Sequence, residues 1–164
     1  MIDKIDYGVA MSEDFKLLTD GEHIRHRFGM YGGSKTIQTE NVFVNGEFKQ
    51  IPLVNGLLKV INEIIDNSID EHIRTDKKFA DEISVTIKDG AIEVKDNGRG
   101  IPSVMIDTPE GKKYQLVAAF THARAGSNFD DSKRESIGTN GVGSMITFVT
   151  SKKFEAKADD GNLK

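Results

Sequence analysis

No cysteine occurs among the 164 residues, which excludes disulfides and thiolate-bound metals and suits a reducing compartment. There is also no apolar run near the roughly 18 residues that a membrane-spanning helix needs. Basic residues are not in excess: 22 Lys and Arg stand against 26 Asp and Glu, a net charge of −4 with a pI near 5.6. Surfaces that grip nucleic acid unaided are usually basic, so this piece is not expected to be one by itself. The opening MIDKIDYGVAMSEDF carries four acids and lacks the apolar core of a signal peptide. Internal repeats and low-complexity tracts are absent. What is present is the ordinary balance of a globular domain, 37 % hydrophobic and 29 % charged, long enough for one core.

Residues 1–20 read as an irregular polar arm, followed by a domain over 21–164. GEHIRHRFGMYGG predicts a short helical stretch that Gly29, Gly32 and Gly33 should end. NVFV-NG-EFKQI, 41–51, is two strand-like runs around Asn45-Gly46, a strong hairpin signal. From Leu53 to about Thr75, apolar residues at 57, 58, 60, 61, 64, 65 and 69 predict a helix with one broad buried face. ISVTIK-DG-AIEVKD, 83–96, predicts a second hairpin turning at Asp89-Gly90, and DNGRGIP follows without a break. Residues 103–143 form a long region rich in Gly, Ser, Asn and Asp around the apolar piece YQLVAAF; loops of such length tend to be functional. SMITFVTS predicts a helix after Gly143, and KKFEAK another strand. Because DDGN then reads as a turn with only Leu163 and Lys164 beyond it, the expectation is a chain cut within its last hairpin.

The predicted long helix carries an unusual stripe. At about 100° per residue, Glu63, Asn67 and Asp70 fall within roughly 60° of one another, with Asp66 at the edge. An acidic stripe is most often a solvated face. Such faces mix charge signs at i,i+4, however, and no Lys or Arg lies between positions 60 and 73. Asn67 is also a mediocre helix former, tolerated in a helix middle mainly when its side chain has another task. Carboxylate and amide oxygens on one face suit a hard cation such as Mg²⁺ held alongside phosphates. A carboxylate beside it can orient or deprotonate water.

Two glycine motifs follow. DNGRG alone is consistent with a turn leaving a strand; equally, its glycines let backbone approach a flat ligand while Asp96 accepts from an amine. GTNGVG, 138–143, runs into an apolar helix, and glycine-rich backbone opening a helix is an anion cradle. It is not a P-loop, since Ser144 follows Gly143 where Lys-Ser/Thr is required, nor does it fit G-x-G-x-x-G.

The order of these motifs resembles the GHKL (Bergerat) ATP-binding fold of gyrase-type topoisomerases, large heat-shock chaperones, MutL-type repair proteins and histidine kinases. HRFGMYGG, EIIDNSIDE, DNGRGIP, AGSNFDD and GTNGVG in succession are similar to the type IIA DNA topoisomerase branch, and within it to large subunits of T-even-like phages. The likeness spans roughly residues 20–158. It implies an α/β fold, an α+β two-layer sandwich whose mostly antiparallel mixed sheet is covered on one face by helices. It also implies ATP and Mg²⁺ as cofactors. Glu63 would be the general base and Asn67 the Mg²⁺ ligand. Asp96 would take the adenine amino group, with Gly98, Gly100 and Ile101 shaping the base pocket. Gly138, Thr139, Asn140, Gly141, Val142, Gly143 and Ser144 would wrap the phosphates, helped by Gly126. Arg99 would pair with Asp70 or Glu71, and Tyr7 would reach the nucleotide of a second protomer. The implied function is ATP hydrolysis driving a DNA-strand-passage gate, with DNA bound by the full assembly, a separate DNA-cleaving subunit as partner, and the cytoplasm of a phage-infected host as location. The alternatives are a nucleotide-binding module without turnover, or a chaperone or repair ATPase of the same fold.

The chain departs from that pattern in several places. Asn128 stands where many relatives have lysine, Ile137-Gly138 replaces a glycine pair, and a lid tyrosine is missing from DSKRES. The family's nucleotide-contacting threonine and γ-phosphate lysine fall past Lys164, so binding of ATP with weak turnover is the expectation for these residues alone. The four histidines, 23, 26, 72 and 122, show no ligand spacing and read as surface or packing residues.

Overall fold

A computed structural model describes residues 17–123 and 141–161. The first element, α1 (Asp20–His26), is set by local chemistry. Thr19 accepts from the Glu22 N–H at 3.3 Å while its own N–H donates to the Glu22 carboxylate at 2.9 Å, a reciprocal cap. Asp20 and Glu22 in the first turn and His23, Arg25 and His26 in the last complement the helix dipole. The helical stretch does not end at Gly29. It breaks at Arg27 and resumes as α2 (Phe28–Tyr31), which Gly32 closes by donating to the Phe28 carbonyl at 2.7 Å. The Phe28 ring lies over Gly32 and Gly56, and a Cβ at either would come within 2.2 Å and 2.6 Å of it. Those two glycines therefore let one aromatic ring join the α2 loop to the start of the long helix.

β1 (Gln38–Val44) and β2 (Glu47–Leu53) form the first hairpin, with Asn45 at φ 53° and Gly46 at φ 88° as a two-residue type I′ turn requires. β2 runs on through Pro52, paired with Thr39, so α3 begins at Asn55 rather than Leu53. Helix α3 (Asn55–Arg74) has 20 residues, about 30 Å of length. β3 (Ile83–Lys88) and β4 (Ala91–Asp96) form the second expected hairpin, turning at Asp89-Gly90. A third hairpin, β5 (Met105–Thr108) with β6 (Gly111–Tyr114), lies inside the stretch expected to be loop. Its four-residue strands and paired lysines 112 and 113 carry no clear alternation. α4 (Gln115–Thr121) and α5 (Gly143–Thr150) complete the elements.

Helices and antiparallel strands are thus mixed as expected, and among the described residues the strands form three separate antiparallel pairs. KKFEAK is not a strand; it runs without regular structure and pairs with no strand among the described residues. Phe154 instead packs on Phe120 and Phe148, with ring centroids 4.9 Å and 5.7 Å away.

The buried cluster is Ile24, Phe28, Met145, Ile146 and Val149, with Tyr31, Val60, Ala123 and Val142 against it. The expected broad buried apolar face of α3 is corrected here: Leu57 and Leu58 are exposed, and the buried α3 residues are Gly56, Ser68, Asp70 and Glu71. Of the apolar α3 residues, Val60 reaches the cluster, while Ile61, Ile64, Ile65 and Ile69 are half-buried, and Ile61 and Ile64 line an open cleft. A further tie holds α3 to α5, where the Thr147 hydroxyl donates to the Val60 carbonyl at 2.9 Å.

Candidate functional site

One cleft runs along α3, bounded by β4 and the DNGRGIP turn at one end and by the start of α5 at the other. At the α5 end, Gly141 adopts φ 61° and Val142 occupies the N-cap position without a side-chain cap from any described residue. No side chain of a described residue takes up the first amides of α5, the donors that a helix start leaves without an intrahelical partner. Glu63 reaches this terminus. A Cβ on Gly143 would lie 1.5 Å from Glu63 Oε2, so only glycine admits the carboxylate there. Asn67, one turn later, donates from Nδ2 to Ser144 Oγ at 3.0 Å. That bond fixes the amide through its nitrogen and leaves its oxygen as the acceptor.

The stripe does have a cation after all. Lys59, one turn before Glu63, pairs its ammonium with Glu63 Oε1. Glu63 is only 15 % exposed, whereas the Lys59 side chain stays half-exposed, so the pair lies at the cleft surface. Burial, and then the Glu63 charge, raise the Asp66 carboxyl above its ordinary value, with Lys59 opposing and Asp70 adding to the rise. Negative charge is therefore crowded at this end of α3.

The other end is closed by hydrogen bonds. Asp96 accepts from Ser68 Oγ at 2.6 Å and from the Gly98 N–H at 2.9 Å, one on each oxygen. Arg99 pairs with Glu71, not Asp70, through Nε at 2.7 Å and Nη2 at 3.2 Å. Arg74 adds a second guanidinium to the same carboxylate. Burial alone would raise the Glu71 carboxyl, but the hydrogen bonds from Arg99, then those from Arg74, outweigh it and bring it to about 2. Gly98 lies close on Asp96 and Glu71, where a Cβ would meet the former at 2.8 Å and the latter at 3.0 Å. Gly100 (φ 70°) packs on the Asp159 carbonyl, and the Ser103 N–H donates to Asp160 Oδ2 at 2.8 Å. Ile101 is half-buried in the same wall.

Of the expected site residues, Glu63, Asn67, Gly141, Val142, Gly143 and Ser144 meet at one end, and Asp96, Gly98, Gly100 and Ile101 at the other. Gly126, Gly138, Thr139 and Asn140 lie outside the described residues, as do Tyr7, Asn128, Ile137 and DSKRES. Sequence reasoning missed Lys59 and Ser68. The signal for Ser68 was available: a lone hydroxyl amid the isoleucines of α3 demands a partner when buried. Among the described residues no group of three His, Asp or Glu gathers to hold a metal unaided. Three histidines make local contacts: His23 with the Tyr31 hydroxyl, His72 with the Phe79 carbonyl and His122 with the Thr121 hydroxyl. No helix among the described residues is long and apolar enough to cross a membrane.

A protein-family description, histidine kinase-, DNA gyrase B-, and HSP90-like ATPase, matches residues 53–159. The DNA topoisomerase large subunit of Enterobacteria phage T4 is 48 % identical over 92 % of this chain, and DNA topoisomerase 2 of Penicillium chrysogenum is 34 % identical over 97 %. The chain spans 30 % and 10 % of the lengths of those two relatives. The ATPase region of Saccharomyces cerevisiae topoisomerase II superposes with a TM-score of 0.69 at 30 % identity, covering 81 % of this chain and 36 % of that one. Half of the chain or more is thus accounted for by one family. The chain belongs to the histidine kinase-, DNA gyrase B-, and HSP90-like ATPase family.

Proposed function

We propose that the cleft along α3 binds ATP with Mg²⁺, and that its hydrolysis drives the strand-passage gate of a type II DNA topoisomerase. The observation that supports this most is the seating of Glu63 on Gly143 at the start of α5, which no described side chain caps, beside an Asn67 held by Ser144. A triphosphate placed on those amides would have a carboxylate and an amide oxygen beside it. Glu63 then orients and deprotonates the attacking water, and Asn67 supplies the protein's oxygen to the cation. Mg²⁺, when bound, neutralises phosphate charge; the Asn67 oxygen fits it, because Mg²⁺ takes one or two protein oxygens and fills its shell with phosphate and water. Gly141 to Ser144 close on the phosphates, joined by Gly126 and Gly138 to Asn140. Asp96 accepts from the adenine amino group, and Gly98, Gly100 and Ile101 bound the ring. The Glu71–Arg99 pair holds the DNGRG turn in place.

The partners are proposed from the topoisomerase resemblance. A topoisomerase context implies DNA engaged by the full assembly, a second protomer joined on ATP binding and a separate DNA-cleaving subunit. Likeness to a phage protein suggests the cytoplasm of an infected bacterium. A second reading, nucleotide binding without turnover, is favoured by one observation: Lys59 already occupies one oxygen of the proposed base. Calorimetry with a non-hydrolysable ATP analogue and Mg²⁺, followed by phosphate release from wild type and Glu63→Ala, separates the two. Binding with Glu63-dependent phosphate release supports the ATPase reading; binding with none supports the module; no binding refutes both.

A further inference from the structure

We infer that Ser68 is a positioning residue that sets which purine the cleft accepts. The inference deepens the nucleotide reading and rests on it. Ser68 is 5 % exposed at the middle of the inner face of α3, with Ile61, Ile64 and Ile65 on the turns before it and Glu71 and His72 on the turn after. Its hydroxyl has one proton, and that proton goes to Asp96 Oδ2 at 2.6 Å, the length of an O–H···O⁻ bond. Asp96 Oδ1 is held in turn by the Gly98 N–H at 2.9 Å. The carboxylate plane is therefore fixed from both sides by groups that line the cleft.

The consequence is chemical. Having given its proton away, the Ser68 oxygen presents only lone pairs, as does the carboxylate beside it. Two adjacent acceptors match an exocyclic amino group, which brings two N–H donors. A 6-oxo purine would set lone pairs against lone pairs, and a purine with hydrogen at position 6 would leave both acceptors unmet. Without the hydroxyl, Asp96 could rotate about its side-chain bonds, and the second acceptor would be gone.

The test compares affinities for ATP, GTP and purine riboside triphosphate, each with Mg²⁺, in wild type, Ser68→Ala, Ser68→Thr and Asp96→Asn. The expected result is that Ser68→Ala lowers the ratio of ATP to purine riboside triphosphate affinity by about tenfold, the size of one bond to a charged group. Ser68→Thr, which keeps the hydroxyl, restores the ratio. General damage to the fold would weaken all three ligands together and leave the ratio alone. An unchanged ratio in Ser68→Ala, with discrimination lost in Asp96→Asn, overturns the role of Ser68 while the nucleotide reading stands. A wild-type chain that binds none of the three overturns both.

Discussion

The two ends of the cleft are built differently. At the DNGRG end every charged group is answered: Glu71 by two arginines, Asp96 by a hydroxyl and an amide. At the α5 end the helix start carries no side-chain cap from a described residue, and Glu63, crowded by Asp66 and paired with Lys59, reaches it. One end is organised before a ligand arrives; the other needs a ligand to complete its charge balance. A site that reads a rigid base and cleaves a mobile phosphate has use for such asymmetry. The two ends should therefore respond to substitution in different ways, stability at the first and turnover at the second.

The sharpest break in that contrast is Glu63→Ala. Phosphate release should fall by about two to four powers of ten, with the affinity for the non-hydrolysable analogue changed only severalfold. Gly143→Ala comes next: a methyl 1.5 Å from Glu63 Oε2 must push the carboxylate aside. Because the carboxylate ends a flexible side chain, the melting temperature should change little, while moving the base off its place should slow phosphate release by up to about a hundredfold.

At the other end, Glu71→Gln should lower stability at neutral pH by about 1–2 kcal/mol, less than full linkage because both arginines are half-exposed. Its carboxyl is depressed, so its contribution is complete above the ordinary value of 4.5 and disappears as pH falls through about 2. Denaturant titrations across that window should show the wild type losing stability that the variant never had. The smallest effect belongs to Lys59→Met. An i,i+4 pair is worth about 0.3–0.5 kcal/mol, so turnover should change about twofold, and Lys59→Arg should restore it.

How legible all this was depends on how local each signal is. Asn45-Gly46 and Asp89-Gly90 fix their hairpins through two residues each, and both were readable. The β5–β6 hairpin was not, because four-residue strands containing Lys112 and Lys113 show no two-residue period. KKFEAK has that period but finds no partner edge among the described residues, and period alone does not make a strand. For α3, periodicity located the helix and missed its burial: the residues it buries most are Ser68, Asp70 and Glu71, since paired polar groups rather than isoleucines meet the DNGRG turn. The pairing of Arg99 came from family resemblance, and geometry chose Glu71 over Asp70. Lys59 was visible one turn before the stripe, yet its pairing with Glu63 depends on side-chain geometry that no spacing rule supplies.

The central claim is that a triphosphate bridges the start of α5 and the α3 stripe through a cation held by Asn67. Calorimetry of an ATP analogue with and without Mg²⁺, on wild type and Asn67→Ala, measures that bridge directly. Wild type should bind more tightly when Mg²⁺ is present, and Asn67→Ala should lose that gain. Equal Mg²⁺ dependence in both proteins would place the cation elsewhere and contradict the claim.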